Sequence, residues 1–166
     1  GLAGCAPAEV ASSTSPEATT SATAPETAAE VTVLDAVEAS YQKWLTEGMT
    51  EEVTSSGDTY ILTYQPGGDF VAALYNVDLQ DVIPIEQPEL FTVYSAWMML
   101  KDDATVIVEG DNRLTLTNDG YGDFTVFIEN GVIVSGEAAN GSWTGVFRYE
   151  PDLPTLELLE QALNAE

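Results

Sequence analysis

The second half of the chain alternates short β-rich runs with clusters of Gly, Asn and Asp, and this pattern constrains the fold more than any other feature. Each run has the length and the β-branched and aromatic content of a strand, and each cluster favours a turn. Consecutive runs with no helix between them predict an antiparallel meander. The predicted strands are Thr105–Glu109, Leu114–Thr117, Phe124–Glu129, Val132–Ser135 and Trp143–Tyr149.

The Asn130-Gly131 dipeptide is the strongest local turn signal. Asn-Gly favours a two-residue type I′ turn, because both central positions of that turn need a positive φ. The hairpin that follows would have three cross-strand pairs: Glu129 with Val132, Ile128 with Ile133, and Phe127 with Val134. This register places apolar side chains on both faces, so we expect the hairpin to be covered on both sides.

Three segments carry apolar residues at helical spacing. The first, residues 32–47, ends before Gly48 and has these apolar positions: Leu34, Val37, Tyr41, Trp44 and Leu45. The second, residues 89–101, is apolar enough to be a buried strand, but Pro88 before it and Lys101 at its end favour a helix. The third is a short closing helix that follows Pro154 and has these apolar positions: Leu156, Leu159 and Leu163.

The middle of the first half predicts a hairpin. Two β-rich runs, Thr59–Tyr64 and Asp69–Tyr75, flank Pro66-Gly67-Gly68. Residues 77–88 contain two prolines and are predicted to be irregular. Together, the elements predict a single α+β domain over residues 31–166, with helices packed on one face of an antiparallel sheet.

The N-terminal segment predicts a lipid anchor and a tether. Residues 6–30 are almost entirely Ala, Ser, Thr, Pro and Glu, so they cannot bury a core and are expected to be disordered. Before them stands Leu2-Ala3-Gly4-Cys5, which resembles the bacterial lipobox at the end of a lipoprotein signal peptide. The resemblance implies diacylglycerol on the Cys5 thiol, cleavage just before Cys5, and upstream signal residues. It also implies that the protein lies at the cell membrane, on the extracytoplasmic face.

Two further resemblances bear on fold and ligand. The stretch Phe124–Tyr149, with Tyr149-Glu150-Pro151 at its close, resembles the C-terminal parts of actinobacterial and other Gram-positive surface lipoproteins. The order helix, hairpin, helical segment and meander resembles the LolA and LppX/LprG group of lipid-carrying lipoproteins. In that group a curved sheet wraps helices around a lipid-binding hollow, so the resemblance implies an apolar ligand.

The charge of the chain excludes several partners. Asp and Glu number 28 against 4 Lys and Arg, which gives a net charge of −24. Such a surface repels nucleic acids and anionic headgroups, so we expect no nucleic-acid partner and membrane attachment only through lipid. High charge also favours a soluble monomer. A divalent cation or a cationic partner is the functional alternative to this solubility explanation.

The residue types present exclude much enzyme chemistry. The chain has no histidine and a single cysteine, Cys5. Ser-His-Asp and Cys-His catalysis, disulfides and His-bearing zinc sites are therefore excluded. We predict no cofactor. Acidic and amide side chains in the meander's loops could bind calcium, but they lack EF-hand spacing, and ordinary turn chemistry is the better explanation for them. These residues are Glu109, Asp111, Asn118, Asp119 and Asp123.

Eight aromatic residues are expected to pack as a core, and a hydrophobic pocket lined by them is the alternative: Tyr41, Trp44, Trp97, Phe124, Phe127, Trp143, Phe147 and Tyr149. If the hollow implied by the lipid-carrier resemblance exists, residues 89–101 should border it, since methionine offers adaptable apolar surface. The candidate lining residues are Trp44, Trp97, Met98, Met99 and Phe127.

These observations favour a lipid-anchored, non-enzymatic protein with a small domain that binds an apolar ligand or a protein partner. A structural or interaction module without a small-molecule ligand is the first alternative. A carboxylate-based hydrolase of the cell envelope is the second, and it would require two acids in a concave site, one with a raised pKa.

Overall fold

The computed structural model of the protein describes residues 28–102, 105–117 and 122–165. The lipobox and most of the tether lie outside these residues. The helices are α1 (Ala28–Glu47), α2 (Thr92–Lys101) and α3 (Leu153–Asn164), with a 3-10 turn at Pro88–Leu90 before α2. The strands are β1 (Met49–Ser55), β2 (Asp58–Gln65), β3 (Val71–Asn76), β4 (Asp81–Pro84), β5 (Thr105–Glu109), β6 (Arg113–Thr117), β7 (Phe124–Glu129), β8 (Val132–Ala138) and β9 (Trp143–Arg148).

The nine strands form one antiparallel sheet in the order β4-β3-β2-β1-β9-β8-β7-β6-β5. The first four strands make one meander and the last five make another. Pairing of β1 with β9 joins the two meanders at the centre of the sheet. The predicted α+β class is therefore confirmed, as are the five strands of the second half, the hairpin of β2 with β3, and the helix within residues 89–101.

Two strands of the first half were not anticipated. No strand was predicted for β1, whose sequence Met-Thr-Glu-Glu-Val-Thr-Ser is mostly polar. The prediction that residues 77–88 are irregular is wrong over Asp81–Pro84, because β4 pairs there with β3. Pro84 is tolerated because β4 lies at the edge of the sheet, where a missing N–H donor need not break a ladder.

The helices cover the two faces of the sheet unequally. Tyr64 on β2 stacks on Trp44 of α1 with ring centroids 4.2 Å apart, so α1 and α2 lie on the face that carries Tyr64. The adjacent Thr63 points to the opposite face, where its Oγ1 accepts a hydrogen bond of 2.6 Å from the N–H of Asp152. The predicted packing on one face thus holds for α1 and α2, whereas α3 packs on the other face, against β2, β3 and β4.

Beyond α3, no helix of the described residues covers the second face of the sheet. Val146 on β9 is 66% exposed there, and Phe127 and Val132 are partly exposed. The expectation that the Asn130-Gly131 hairpin is covered on both sides is therefore wrong. Alternation placed apolar side chains on both faces correctly, but only tertiary packing decides which face is covered.

The Asn130-Gly131 turn forms as predicted, with φ of 53° and 81° at its two residues. The first two predicted cross-strand pairs, of Glu129 with Val132 and of Ile128 with Ile133, are also confirmed. The third is wrong, because Phe127 pairs with Ser135 across a β-bulge. The bulge inserts one extra residue into β8, which local turn chemistry does not specify.

Helix α1 ends where the sequence predicted. Gly48 has a φ of +92°, and its N–H donates to the carbonyl oxygen of Trp44 at 3.2 Å. A Cβ at this position would lie 2.7 Å from the carbonyl oxygen of Tyr64. Glycine is therefore required both by the left-handed conformation and by the close approach of β2.

Candidate functional site

An open groove of about 710 Å³ runs along α3 on the less covered face of the sheet. One wall is the helix itself, and the other is formed by Gln65 and Val71, which pair across the ends of β2 and β3. Because α3 has 12 residues, it is about 18 Å long, so the groove can accept an elongated ligand of about three helical turns.

The position of α3 is fixed at its N-terminus by Asp152. The Asp152 carboxylate accepts hydrogen bonds from the N–H and Oγ1 of Thr155, at 3.3 and 2.6 Å, and so caps the helix. Arg148 at the end of β9 donates to the same carboxylate at 2.7 Å. The backbone N–H of Asp152 bonds to Thr63 on β2. The beginning of the helix is thus bound to two strands of the sheet.

Helix α3 has a buried stripe and a second stripe that is mostly apolar. Thr155 and Leu159 are buried against the sheet. A second set of positions, spaced i, i+3, i+7 and i+10, faces the groove: Leu153, Leu156, Glu160 and Leu163. Leu153 is 62% exposed and Leu163 is 50% exposed. The fold therefore leaves the two ends of this second stripe, Leu153 and Leu163, largely exposed, whereas Leu156 between them is partly buried.

The groove is acidic as well as apolar. Glu157 and Glu160 line it, and its lining contains no basic residue. The basic side chains are engaged elsewhere: Lys43 with Glu47, Lys101 over the Trp97 ring, Arg113 with Glu109, and Arg148 with Glu52, Glu150 and Asp152. Within the described part of the chain, Glu157 and Glu160 form no ion pair, so their charge is available to a ligand.

The predicted pocket residues on the helices belong to a packed aromatic cluster between α1, α2 and β2. Trp44 is 3% exposed and contacts five other rings. Trp97 stacks face to face on Tyr41 with centroids 3.7 Å apart, and its Nε1–H donates to Glu38 at 3.0 Å. These contacts are those of a core, with rings filling the space where the lipid-carrier resemblance implies a hollow.

The remaining predicted pocket residues are dispersed. Met99 is buried in the core that α2 shares with the sheet, and Met98 is partly exposed. Phe127 projects from the opposite face of the sheet, where the guanidinium of Arg113 lies 5.4 Å from its ring centroid. The structure therefore places Trp44 and Trp97 in one cluster but does not bring Phe127 to it.

Glu51 is a buried acid that sequence reasoning missed. Its side chain is 1% exposed and accepts hydrogen bonds from the N–H and Oγ1 of Thr92, at 2.7 and 3.1 Å. It thus caps α2 from a neighbouring strand, because Phe91 at the N-cap position offers no side-chain acceptor. Burial raises the pKa of the Glu51 carboxyl to about 8, against the lowering effect of the Thr92 donors.

Those predicted calcium ligands that the structure describes are not gathered into a site. Asn118 and Asp119 lie outside the described residues, and Glu109 bonds Arg113 at 3.3 Å. No three acidic side chains of the described ranges gather as a metal ion would require. Cys5, the predicted lipidation site, also lies outside those ranges.

Comparison of the chain with protein-family models, with curated proteins and with solved structures gave no match. In the part of the chain that the structure describes, no helix is both long and apolar enough to cross a membrane.

Proposed function

We propose that this chain is a lipid-anchored, extracytoplasmic, non-enzymatic protein whose α+β domain binds a partner in the groove beside α3. The second apolar stripe of α3 carries the binding part of the proposal. Exposed leucines at regular helical spacing, beside a groove, are typical of an interaction site, whereas single exposed apolar residues are ordinary. The Leu2-Ala3-Gly4-Cys5 motif supports the anchor.

The tether determines where such a groove would act. A flexible chain of the length of residues 6–30 has a typical end-to-end distance of about 28 Å and a limit near 80 Å. The acidic domain would be repelled by an anionic membrane surface, so the tether would hold the groove clear of the headgroups. The groove would then meet partners in the space next to the membrane.

The environment of Glu51 supports a non-enzymatic function. A raised pKa in a carboxyl is a signature of acid catalysis when the group faces a cleft. Glu51, however, is sealed beneath α2 and has its oxygens bonded to Thr92. It cannot touch a substrate, and it lies on the opposite side of the sheet from the groove.

The aromatic cluster bears on the choice of ligand. A carrier of the LolA type would need an internal hollow for acyl chains, and the stacked rings of Trp44 and Tyr64 occupy the corresponding space. We therefore assign binding to the groove outside the sheet, where both apolar side chains and carboxylates are exposed.

Detergent partitioning of the full-length gene product tests the anchor. The wild-type protein, expressed in a lipoprotein-processing bacterium, should enter the detergent phase and carry a mass increase on the peptide that begins with Cys5. The Cys5→Ala variant should stay in the aqueous phase or remain unprocessed, and Ser12→Ala, a change within the tether, should behave as wild type. Equal partitioning of the wild-type protein and Cys5→Ala would contradict lipid anchoring.

A further inference from the structure

The charge and spacing of the residues along the groove define the class of its partner. We infer that the groove beside α3 binds a cationic amphipathic helix, with leucine-like anchors against the apolar stripe and lysine or arginine opposite Glu157 and Glu160. This inference rests on the proposed binding function and is independent of the lipid anchor.

The spacing of the stripe matches a helical partner. Leu153, Leu156, Glu160 and Leu163 follow steps of three, four and three residues, the spacing of the a and d positions in a helix–helix seam. Such a seam buries one apolar stripe against another over several turns. The length of α3, about 18 Å, provides three turns for this contact.

Glu160 sets the charge of the partner. A carboxylate within an apolar seam is costly to bury unless an opposite charge meets it. Glu157 lies one helical turn before Glu160 and also lines the groove, and no basic residue lines the groove. A partner with a basic residue at the facing position would neutralise both carboxylates, whereas an acidic partner would be rejected.

The same charge argument disfavours the other occupants. The tether of this chain carries acidic residues and no basic ones, so it would add negative charge to the groove. A second copy would bring Glu160 against the acidic groove of its neighbour, with a net charge of −24 on each chain. A basic partner is the occupant that complements both the apolar stripe and the carboxylates.

A peptide titration against the full chain tests the inference. The probe is a fluorescein-labelled peptide of 14 residues with leucine at the a and d positions of two heptads and lysine elsewhere. A second peptide of the same composition has its leucines scattered, and a third replaces lysine by glutamate. The ordered lysine peptide should bind more tightly than the scattered one, and the glutamate peptide should not bind.

Two pairs of variants separate groove binding from general attraction to an acidic protein. Leu153→Ser with Leu163→Ser should weaken binding by at least about tenfold, a change that exposed side chains allow without unfolding. Glu157→Gln with Glu160→Gln should weaken it several-fold and flatten its salt dependence. The matched control, Glu129→Gln with Glu137→Gln, removes the same charge from exposed positions on β7 and β8 and should change binding less than about twofold.

Five results would overturn the inference. Equal binding of the ordered and scattered peptides, or equal weakening by the control pair, would show attraction to net charge alone. Binding of the glutamate peptide that the leucine variant abolishes would keep the groove as a binding site but refute its cationic partner. Unchanged binding in the leucine variant would refute the groove itself. A concentration-dependent dimer in sedimentation, lost in the leucine variant, would identify a second copy as the occupant.

Discussion

The hydroxyl of Ser40 on α1 accepts a hydrogen bond of 2.8 Å from the backbone N–H of Ile133 on β8. The ladder between β8 and β9 ends at the pair of Ser135 with Val146, so Ile133 has no partner on β9. Its carbonyl oxygen instead accepts a bond of 2.7 Å from the hydroxyl of Tyr149. The side chains of Ser40 and Tyr149 thus provide hydrogen-bond partners for the backbone N–H and carbonyl of Ile133, beyond the point where the pairing of β8 with β9 ends.

Ser40→Ala should destabilise the protein by about 1–3 kcal/mol, because it leaves the buried N–H of Ile133 without an acceptor. Thr46→Ala is the matched control in the same helix, since Ser40 and Thr46 each donate to the carbonyl four residues back, but Thr46 is exposed. The control should cost less than about 0.5 kcal/mol. Urea unfolding followed by circular dichroism measures both, and equal losses would refute the bridging role of Ser40.

Tyr149→Phe should cost about 1–2 kcal/mol by removing the donor to the Ile133 carbonyl. Tyr75→Phe serves as the control, because the Tyr75 hydroxyl makes no hydrogen bond to other described residues. Since Ser40 and Tyr149 act on the same residue, the double variant should be non-additive by at least about 0.5 kcal/mol. Additive losses in the free energy of unfolding would indicate that the hydroxyls of Ser40 and Tyr149 stabilise the protein independently of each other.

Because Glu51 is buried, we expect the free energy of unfolding to fall as the pH rises. Burial raises the pKa of its carboxyl from 4.5 to about 8, so between these values the folded state holds a proton that the unfolded state has released. The free energy of unfolding should therefore decrease from pH 4.5 to pH 8, by no more than about 5 kcal/mol. Below pH 4.5 this contribution is constant, because both states are protonated.

Glu51→Gln should remove this pH dependence while keeping an acceptor for Thr92. Its stability relative to wild type should therefore improve as the pH approaches 8. Glu86→Gln makes the same side-chain replacement at an exposed site and should leave the pH profile as in wild type. Denaturant melts at several pH values test this. Parallel profiles for Glu51→Gln and the wild type would show that Glu51 does not cause the dependence.

Trp44→Ala should destabilise the protein by about 3–5 kcal/mol, because it opens a cavity in the middle of the aromatic cluster. Trp97→Ala should cost less, about 1–3 kcal/mol, since Trp97 is partly exposed and contacts fewer rings. Thermal melts measure both losses. A fluorescent acyl probe, titrated in parallel, should bind none of the three proteins. Probe binding that Trp97→Ala weakens without loss of stability would instead reveal a lipid-binding hollow.

The sequence by itself determined the local elements of this fold. The turn at Asn130-Gly131, the end of α1 at Gly48 and the strands of the second half depend on backbone preferences and side-chain periodicity within a few residues. These local preferences act independently of the tertiary packing around them. The absence of histidine and the charge of −24 likewise constrained chemistry and partners before any contact was considered.

Only the tertiary structure decided how those elements share their faces. Alternation showed that Phe127 and Ile128 point to opposite sides, but not that α1 and α2 would cover one side and α3 only part of the other. The hydrogen-bond partner of the buried Glu51 is Thr92, which is 41 residues away, and the acceptor for the N–H of Ile133 is Ser40, which is 93 residues away. Local sequence does not encode such distant partners, because burial and hydrogen-bond satisfaction are properties of the packed chain as a whole.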